Sequence, residues 1–306
     1  MNRLSVRTYK RLIVGTIGLI FIVLVFLCVY FYFQMCNTAE QVAVSEKLLE
    51  ETQLHFSQVE KKLQEYESSP LYSAELFDYQ KLYPDMVAEK TEKKEETQEK
   101  VVYLTFDDGP SVRTPEVLDI LDRYGIKATF FVVYYNTAKV NDLYRDIVAR
   151  GHTIGVHSTT HQMTKIYKSV ESYLEDFKTM YDHIYAQTGV KVQLFRFPGG
   201  SINSYNTTVY NSIIAEMLRR GFTYHDWNVS SGDAASNHVP AEKIYAEVVE
   251  NVRGRKKSVV LMHDSVAKNT TVEALPQIIE TLLAEGYTFK ALDPSVKPFT
   301  FAYTNY

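Results

Sequence analysis

From residue 101 onward, short apolar segments alternate with longer amphipathic ones, and this alternation restricts the fold more than any other feature. Apolar runs of about four to eight residues between turn residues are typical of buried strands, and the longer segments have helical periodicity. Strands that alternate with helices form parallel α/β sheets. The predicted strands cover residues 101–106, 128–133, 153–156, 193–197, 222–227, 258–262 and 287–292.

Ionisable side chains lie near or just after the carboxyl ends of five of these predicted strands. In an open α/β sheet and in a closed α/β barrel, the chemistry gathers at the carboxyl ends of the strands. We therefore expect the side chains to meet at one edge, although the pattern alone does not separate the two architectures. They are Asp107, Asp108, His157, Arg196, Asp226 and His263.

Two histidines with a nearby carboxylate point to a metal site. His157 and His161 lie four positions apart, which places two imidazoles on the same side of a helical turn. A carboxylate from Asp107 or Asp108 would complete a set of two histidines and one carboxylate, with coordination positions left for water and substrate. The pattern predicts a catalytic divalent metal. Zinc is the first choice, and cobalt, nickel or manganese also suit these ligands.

The remaining ionisable groups have the chemistry that hydrolysis at such a site requires. Neighbouring side chains on a strand point to opposite faces, so the adjacent aspartates hold different roles, one as a ligand and one as general base. His263 is the candidate general acid, because histidine changes charge near neutral pH. Asp226 is expected to orient His263, and Arg196 is expected to pair with the base.

Five motifs stand in the order that is typical of the polysaccharide deacetylases of the NodB-homology type, and the chain resembles this family over about residues 101–292. The resemblance implies a distorted (β/α) barrel. The motifs are Thr-Phe-Asp-Asp-Gly-Pro at 105–110, His-Ser-x-x-His at 157–161, Arg-x-Pro at 196–198, Asp-Trp at 226–227 and Leu-x-His at 261–263.

The resemblance implies which aspartate holds which role. Asp108, His157 and His161 would bind the metal, and Asp107 would be the catalytic base, contacted by Arg196.

The same resemblance implies the rest of the site. His263 would be the acid, tuned by Asp226, while Leu261 and Trp227 would shape the acetyl pocket and the sugar groove. The backbone N–H of Gly199 would donate to the oxyanion of the tetrahedral intermediate.

The implied reaction is metal-assisted removal of N-acetyl groups from an amino sugar of cell-wall polysaccharide, with peptidoglycan as the expected substrate. An O-acetyl esterase acting on xylan-like glycans and an inactive wall-binding or scaffold protein are the alternatives. The sequence does not separate N-acetylglucosamine from N-acetylmuramic acid as the target.

Many family members have a tyrosine after Arg-x-Pro, where this chain has Gly199 and Gly200, so we expect a wall of the sugar groove to be missing.

Near its start the chain has an apolar run of 22 uncharged residues, 12–33, which is long enough to cross a bilayer as a helix. A basic tail, residues 1–11, precedes it, and the first ionisable groups after it are Glu40 and Glu46. The positive-inside rule then predicts a cytoplasmic tail and an extracellular catalytic domain over residues 101–306. We expect a retained single-pass anchor in the cell membrane, with a cleaved signal peptide as the alternative.

Residues 34–100 are predicted to form a helical stalk and a charged linker. Val42, Leu49, Phe56 and Leu63 recur every seven residues and form one seam of a coiled coil. Because the companion positions are only half apolar, we expect at most weak self-association through the stalk, or a solvated spacer helix. The net charge of -4 gives no argument for nucleic acid as a partner.

Overall fold

The computed structural model of the chain describes residues 49, 50, 53, 57, 77–93 and 99–301. The chain divides into two units, Met1–Glu75 and Leu76–Tyr306. The predicted anchor at 12–33 and most of the predicted stalk lie outside the described residues. Within the described part of the chain, no helix is both long enough and apolar enough to cross a membrane.

The second unit is built on a curled sheet of eight strands, in which each described ladder is parallel. The strand order is β5-β4-β3-β2-β1-β7-β6, and β8 pairs with β1. The predicted distorted (β/α) barrel is therefore confirmed. The strands are β1 Val101–Asp107, β2 Thr129–Val133, β3 Thr153–Ser158, β4 Leu194–Phe195, β5 Thr223–Tyr224, β6 Val229–Ser230, β7 Lys257–His263 and β8 Thr288–Phe289.

Helices connect most of the strands, as parallel strands require, and the longer ones bury one face. The short helix before β1 has no buried residue. The helix α2 begins at Thr114 and has Pro115 in its first turn, where the missing N–H of proline removes no helical hydrogen bond. The described helices are α1 Asp78–Lys81, α2 Thr114–Arg123, α3 Ala138–Ala149, α4 Met163–Ile166, α5 Val170–Thr188, α6 Tyr210–Arg219, α7 Ala241–Val252 and α8 Asn269–Ala284.

Side chains along β1 alternate between the two faces of the sheet. Val102, Leu104 and Phe106 belong to the large core that packs against the helices. Val101 and Tyr103 belong to a smaller core on the opposite face of the sheet. Because successive side chains alternate between faces, the later odd-numbered positions of β1 share the face of this smaller core.

The structure differs from the sequence-based expectation between residues 222 and 230. One strand over 222–227 was predicted, whereas the chain forms two strands of two residues each, β5 and β6. β5 pairs with β4 at one end of the strand order, and β6 pairs with β7 at the other. The residues that follow β6 are thereby brought beside the end of β7.

A segment upstream of β1 also packs on this unit. Met86 is fully buried in the large core, and the backbone N–H of Ala88 donates to the carbonyl of Arg220 at 2.8 Å. The Arg220 guanidinium donates to the carbonyl of Leu82 at 2.7 Å. Gly221 has φ +88, and a Cβ there would lie 2.2 Å from the Ala88 oxygen, so only glycine permits this approach. The packed unit thus extends upstream of residue 101.

Arg220→Met should destabilise the protein much more than Arg219→Met. Both arginines pair with the buried Glu216, but the Arg220 side chain is 1% exposed and the Arg219 side chain is 43% exposed. Without Arg220 the Glu216 carboxylate keeps only the exposed Arg219, and the Leu82 carbonyl loses its donor, so the cost should approach the about 3–5 kcal/mol of a broken buried pair, whereas an exposed pair contributes about 0–1 kcal/mol. Urea unfolding of the two variants measures the difference, and equal losses would contradict the assignment.

Candidate active site

The carboxyl edge of the sheet is organised by a buried ion pair between β1 and the end of β4. Arg196 is fully buried, and its Nη1 donates to Asp107 Oδ1 at 3.0 Å. The same nitrogen donates to the hydroxyl of Thr105 at 2.6 Å. Asp107 is 2% exposed, so this pair lies in a region of low dielectric where both charges require partners. The predicted contact between Arg196 and Asp107 is present.

Three predicted metal ligands converge beside this pair. One ligand atom each from Asp108, His157 and His161 lies within 4.8 Å of the others. Asp108 Oδ1 is 3.4 Å from His157 Nε2 and 3.3 Å from His161 Nε2. The other carboxylate, Asp107, has its Oδ2 3.9 Å from His157 Nε2. The adjacent aspartates are thus separated, one towards Arg196 and one towards both histidines.

The donor set suits a divalent cation. Among the described residues, the buried Oδ1 of Asp108 has no hydrogen-bond donor, and it faces two imidazole nitrogens. His157 Nδ1 lies 2.9 Å from the carbonyl of Arg196, so Nδ1–H donates there and leaves the Nε2 lone pair for a metal. Burial lowers the pKa of His157, which keeps its ring neutral, as a ligand must be.

His263, the predicted acid, is held by a carboxylate that the sequence analysis did not select. His263 Nδ1 is 2.7 Å from Asp233 Oδ1, and its backbone N–H donates to Asp233 Oδ2 at 2.8 Å. Burial alone lowers the pKa of His263, but the hydrogen bond and charge of Asp233, with the charge of Asp107, outweigh it and raise the pKa to about 9. His263 is therefore protonated at neutral pH. In the sequence, Asp233 stands out merely as a further carboxylate beyond the strand predicted over residues 222–227.

The predicted contact between Asp226 and His263 is wrong. The Asp226 carboxylate accepts from the backbone N–H of Ser201 at 2.8 Å, from the Ser201 hydroxyl at 2.6 Å and from the N–H of Phe301 at 2.7 Å. Burial raises its pKa. Asp226 joins the loop after β4 to the C-terminal segment, and it lies in the connection between β5 and β6, before the chain pairs with β7.

The predicted groove residues lie at the same edge. Leu261 is on β7 and pairs in register with Thr105, and the Trp227 ring lies 5.8 Å from the Arg196 guanidinium carbon. A Cβ on Gly199 would lie 2.5 Å from the Met163 methyl.

The space beside the second glycine is also filled. A Cβ on Gly200 would lie 2.8 Å from the Phe301 ring, which packs edge-on against Trp227 with a centroid separation of 4.9 Å. Side chains from distant parts of the chain therefore stand beside both glycines. The expectation of a missing groove wall stays a prediction.

This arrangement combines a cation site, a fixed carboxylate and a protonated imidazole. Asp107 and His263 are paired in register across β1 and β7. One acid and one base beside a metal site are the groups that hydrolysis of an acyl bond requires.

Comparison with known proteins agrees with this chemistry. The family model described as polysaccharide deacetylase matches residues 94–218. The Bacillus subtilis protein YheN is 34% identical over 218 residues, covering 70% of this chain and 75% of YheN. The peptidoglycan-N-acetylglucosamine deacetylase of Bacillus cereus is 36% identical over 195 residues, covering 63% of this chain and 69% of that protein. The chain belongs to the polysaccharide deacetylase family.

A solved structure of a family member supports the fold of this polysaccharide deacetylase. The catalytic domain of a peptidoglycan N-acetylglucosamine deacetylase from Eubacterium rectale superposes with a TM-score of 0.65 at 37% identity, covering 71% of this chain and 98% of that domain. The resemblance predicted from the five motifs is confirmed.

Replacing Asp233 should abolish the elevated pKa of His263 in this deacetylase. In Asp233→Asn the neutral amide no longer offsets burial as the carboxylate does, so the pKa should fall well below about 9. NMR titration of the His263 ring measures it. The matched variant Asp226→Asn should leave the pKa of His263 near 9. A lowered pKa in Asp226→Asn together with an unchanged one in Asp233→Asn would overturn the assignment.

Proposed function

We propose that this protein is a metal-dependent hydrolase that removes N-acetyl groups from amino sugars of cell-wall peptidoglycan. One observation carries the proposal: a cluster of Asp108, His157 and His161 stands beside a second carboxylate, Asp107, which a buried arginine holds apart from it. The names of the Bacillus cereus and Eubacterium rectale relatives support the substrate class.

The cluster of Asp108, His157 and His161 would hold the cation, for which we propose zinc. When bound, a divalent cation acts as a Lewis acid and lowers the pKa of water. Two imidazoles and one carboxylate leave coordination positions for other groups, which is the arrangement of a catalytic site rather than a structural one.

The chain's own residues supply the proton transfers. Asp107 accepts a proton from the water that attacks the acetyl carbonyl carbon, and Arg196 keeps this carboxylate in place. The N–H of Gly199 donates to the oxyanion of the tetrahedral intermediate. His263 donates its proton to the amide nitrogen as the carbon–nitrogen bond breaks, which releases acetate and an amine. Asp233 stabilises the charged imidazole that makes this donation available at neutral pH.

The proposed acid determines the direction of the pH dependence. His263 must be protonated to act, so the activity should fall as the pH rises through about 9.

The product amine is cationic when protonated, so the reaction would add positive charge to the wall.

We also propose that residues 12–33 anchor the protein in the cell membrane, with the tail at 1–11 in the cytoplasm and the hydrolase outside. The support is the length of the apolar run and the basic residues before it. An extracellular hydrolase held at the membrane would meet peptidoglycan directly. Weak self-association through the stalk is part of the same proposal and rests on the heptad spacing alone.

Acetate release by the membrane fraction of cells that express the full chain tests the proposal. Peptidoglycan and N-acetylglucosamine oligomers should release acetate, a chelator should abolish the release, and added Zn²⁺ should restore it. His263→Ala should lower kcat by about 10²- to 10⁴-fold, the usual contribution of a general acid. The exposed His238→Ala is the matched control and should keep full activity.

The other outcomes separate the alternatives. Acetate released from acetylated xylan but not from peptidoglycan would favour the O-acetyl esterase. No release from any of these glycans would favour the inactive scaffold. Activity in the soluble fraction instead of the membranes would contradict the anchor.

A further inference from the structure

The loop that joins the two histidine ligands is held by a single carboxylate on a neighbouring helix. Asp176 lies on α5, and its Oδ1 accepts from the backbone N–H and the hydroxyl of Thr160, both at 2.9 Å. Its Oδ2 accepts from the Ser158 hydroxyl at 2.7 Å and from the Thr159 N–H at 2.8 Å. The three residues between His157 and His161 thus all donate to one side chain.

Asp176 also binds this loop through its backbone. Its carbonyl accepts from the Thr159 hydroxyl at 2.6 Å. The side chain is only partly buried, yet each carboxylate oxygen accepts two hydrogen bonds. Hydrogen bonds to a charged acceptor are stronger than those between neutral groups. The loop is therefore anchored to the rigid helix α5 and does not depend on its own conformational preferences.

Such an anchor matters because this loop carries one of the two proposed ligands with an unfavourable backbone conformation, the other being Asp108 with φ +69. His161 has φ +51, in the left-handed region that residues with a Cβ avoid. Strained residues keep such conformations only when the surrounding structure over-determines them. The N–H of His161 donates to the Ser158 hydroxyl at 2.8 Å, and that hydroxyl donates to Asp176. A short chain of hydrogen bonds thus runs from Asp176 to the backbone of His161.

The imidazole of His161 has little other support. The His157 ring is buried and fixed by the Arg196 carbonyl, whereas the His161 side chain is 40% exposed. Across residues 77–93 and 99–301, the Nδ1 of His161 has no hydrogen-bond partner. The direction of this ligand consequently depends on the backbone of the loop.

We infer that Asp176 is a positioning residue for the metal site, which fixes the 158–161 loop so that His161 points at Asp108 before a cation arrives. This inference rests on the proposed metal-dependent function. Partners that orient metal ligands typically change the metal affinity by about 10- to 100-fold when they are removed. Asp176 should therefore contribute to affinity without touching the cation.

The variant Asp176→Asn tests this in the full chain. It keeps the shape of the side chain, but its amide nitrogen cannot accept the hydrogen bonds that one carboxylate oxygen accepts. Competition with a chromophoric chelator measures the Kd for Zn²⁺, which should rise by about 10- to 100-fold. The matched control Asp182→Asn alters a carboxylate on the same helix that pairs with Lys178, and its Kd should equal that of the wild type.

Two further readouts separate positioning from general stability. The visible absorption of the Co²⁺-loaded Asp176→Asn protein should change, because one imidazole is less firmly held. Saturating Zn²⁺ should restore most of kcat, since all three ligands are still present. A wild-type Kd and a wild-type Co²⁺ spectrum in Asp176→Asn would overturn the inference.

A milder variant covers the case in which Asp176→Asn does not fold. Thr160→Val removes one of the four hydrogen bonds to the carboxylate and should raise the Kd for Zn²⁺ by a smaller factor. An unchanged Kd in Thr160→Val would then overturn the inference. If the wild-type protein itself binds no Zn²⁺ or Co²⁺, the proposed function fails, which is a different result from a Kd that is insensitive to Asp176.

Discussion

The site depends on one buried cation, the guanidinium of Arg196. It donates to the carboxylate of Asp107, to the hydroxyl of Thr105 and to two backbone carbonyls after β5. A guanidinium with no exposed surface is tolerated only when its donors are satisfied, so these contacts fix the position of Asp107. The carbonyl of the same arginine accepts from His157 and sets its tautomer. One residue thereby separates the proposed base from the proposed metal ligands and orients one of those ligands.

The parallel sheet allows these side chains to interact, because the carboxyl ends of adjacent strands lie side by side at one edge. Asp107 at the end of β1 is in register with His263 at the end of β7. The neighbouring strand β6 leads to Asp233, which gives His263 its high pKa. Each reactive group is therefore positioned by a residue from another strand. The helix α5 completes the set by holding the histidine loop through Asp176.

The fold and the metal ligands follow from local patterns, whereas the partner of the acid does not. The alternation of strands and helices predicts a parallel α/β sheet, and the spacing of His157 and His161 predicts a chelating pair, because both are properties of short stretches. The barrel itself was implied by the resemblance of the five motifs. The sequence analysis did not identify Asp233, because β6 is only two residues long and pairs with β7, which is distant in the sequence. Asp226 lies near the end of a predicted strand, but in the structure it stands between β5 and β6, and its carboxylate accepts from Ser201 and the C-terminal segment. Such tertiary contacts leave no local signature.

On the proposed function, the adjacent carboxylates have separate roles because Arg196 holds one of them away from the proposed metal ligands. Bound Zn²⁺ and acetate release, measured together on Asp107→Asn and Asp108→Asn in the full chain, test it most directly. Asp107→Asn should bind Zn²⁺ and release no acetate, because its ligands are intact and its base is lost. Asp108→Asn should lose the Zn²⁺ itself. Loss of Zn²⁺ from Asp107→Asn with retention by Asp108→Asn would contradict the account.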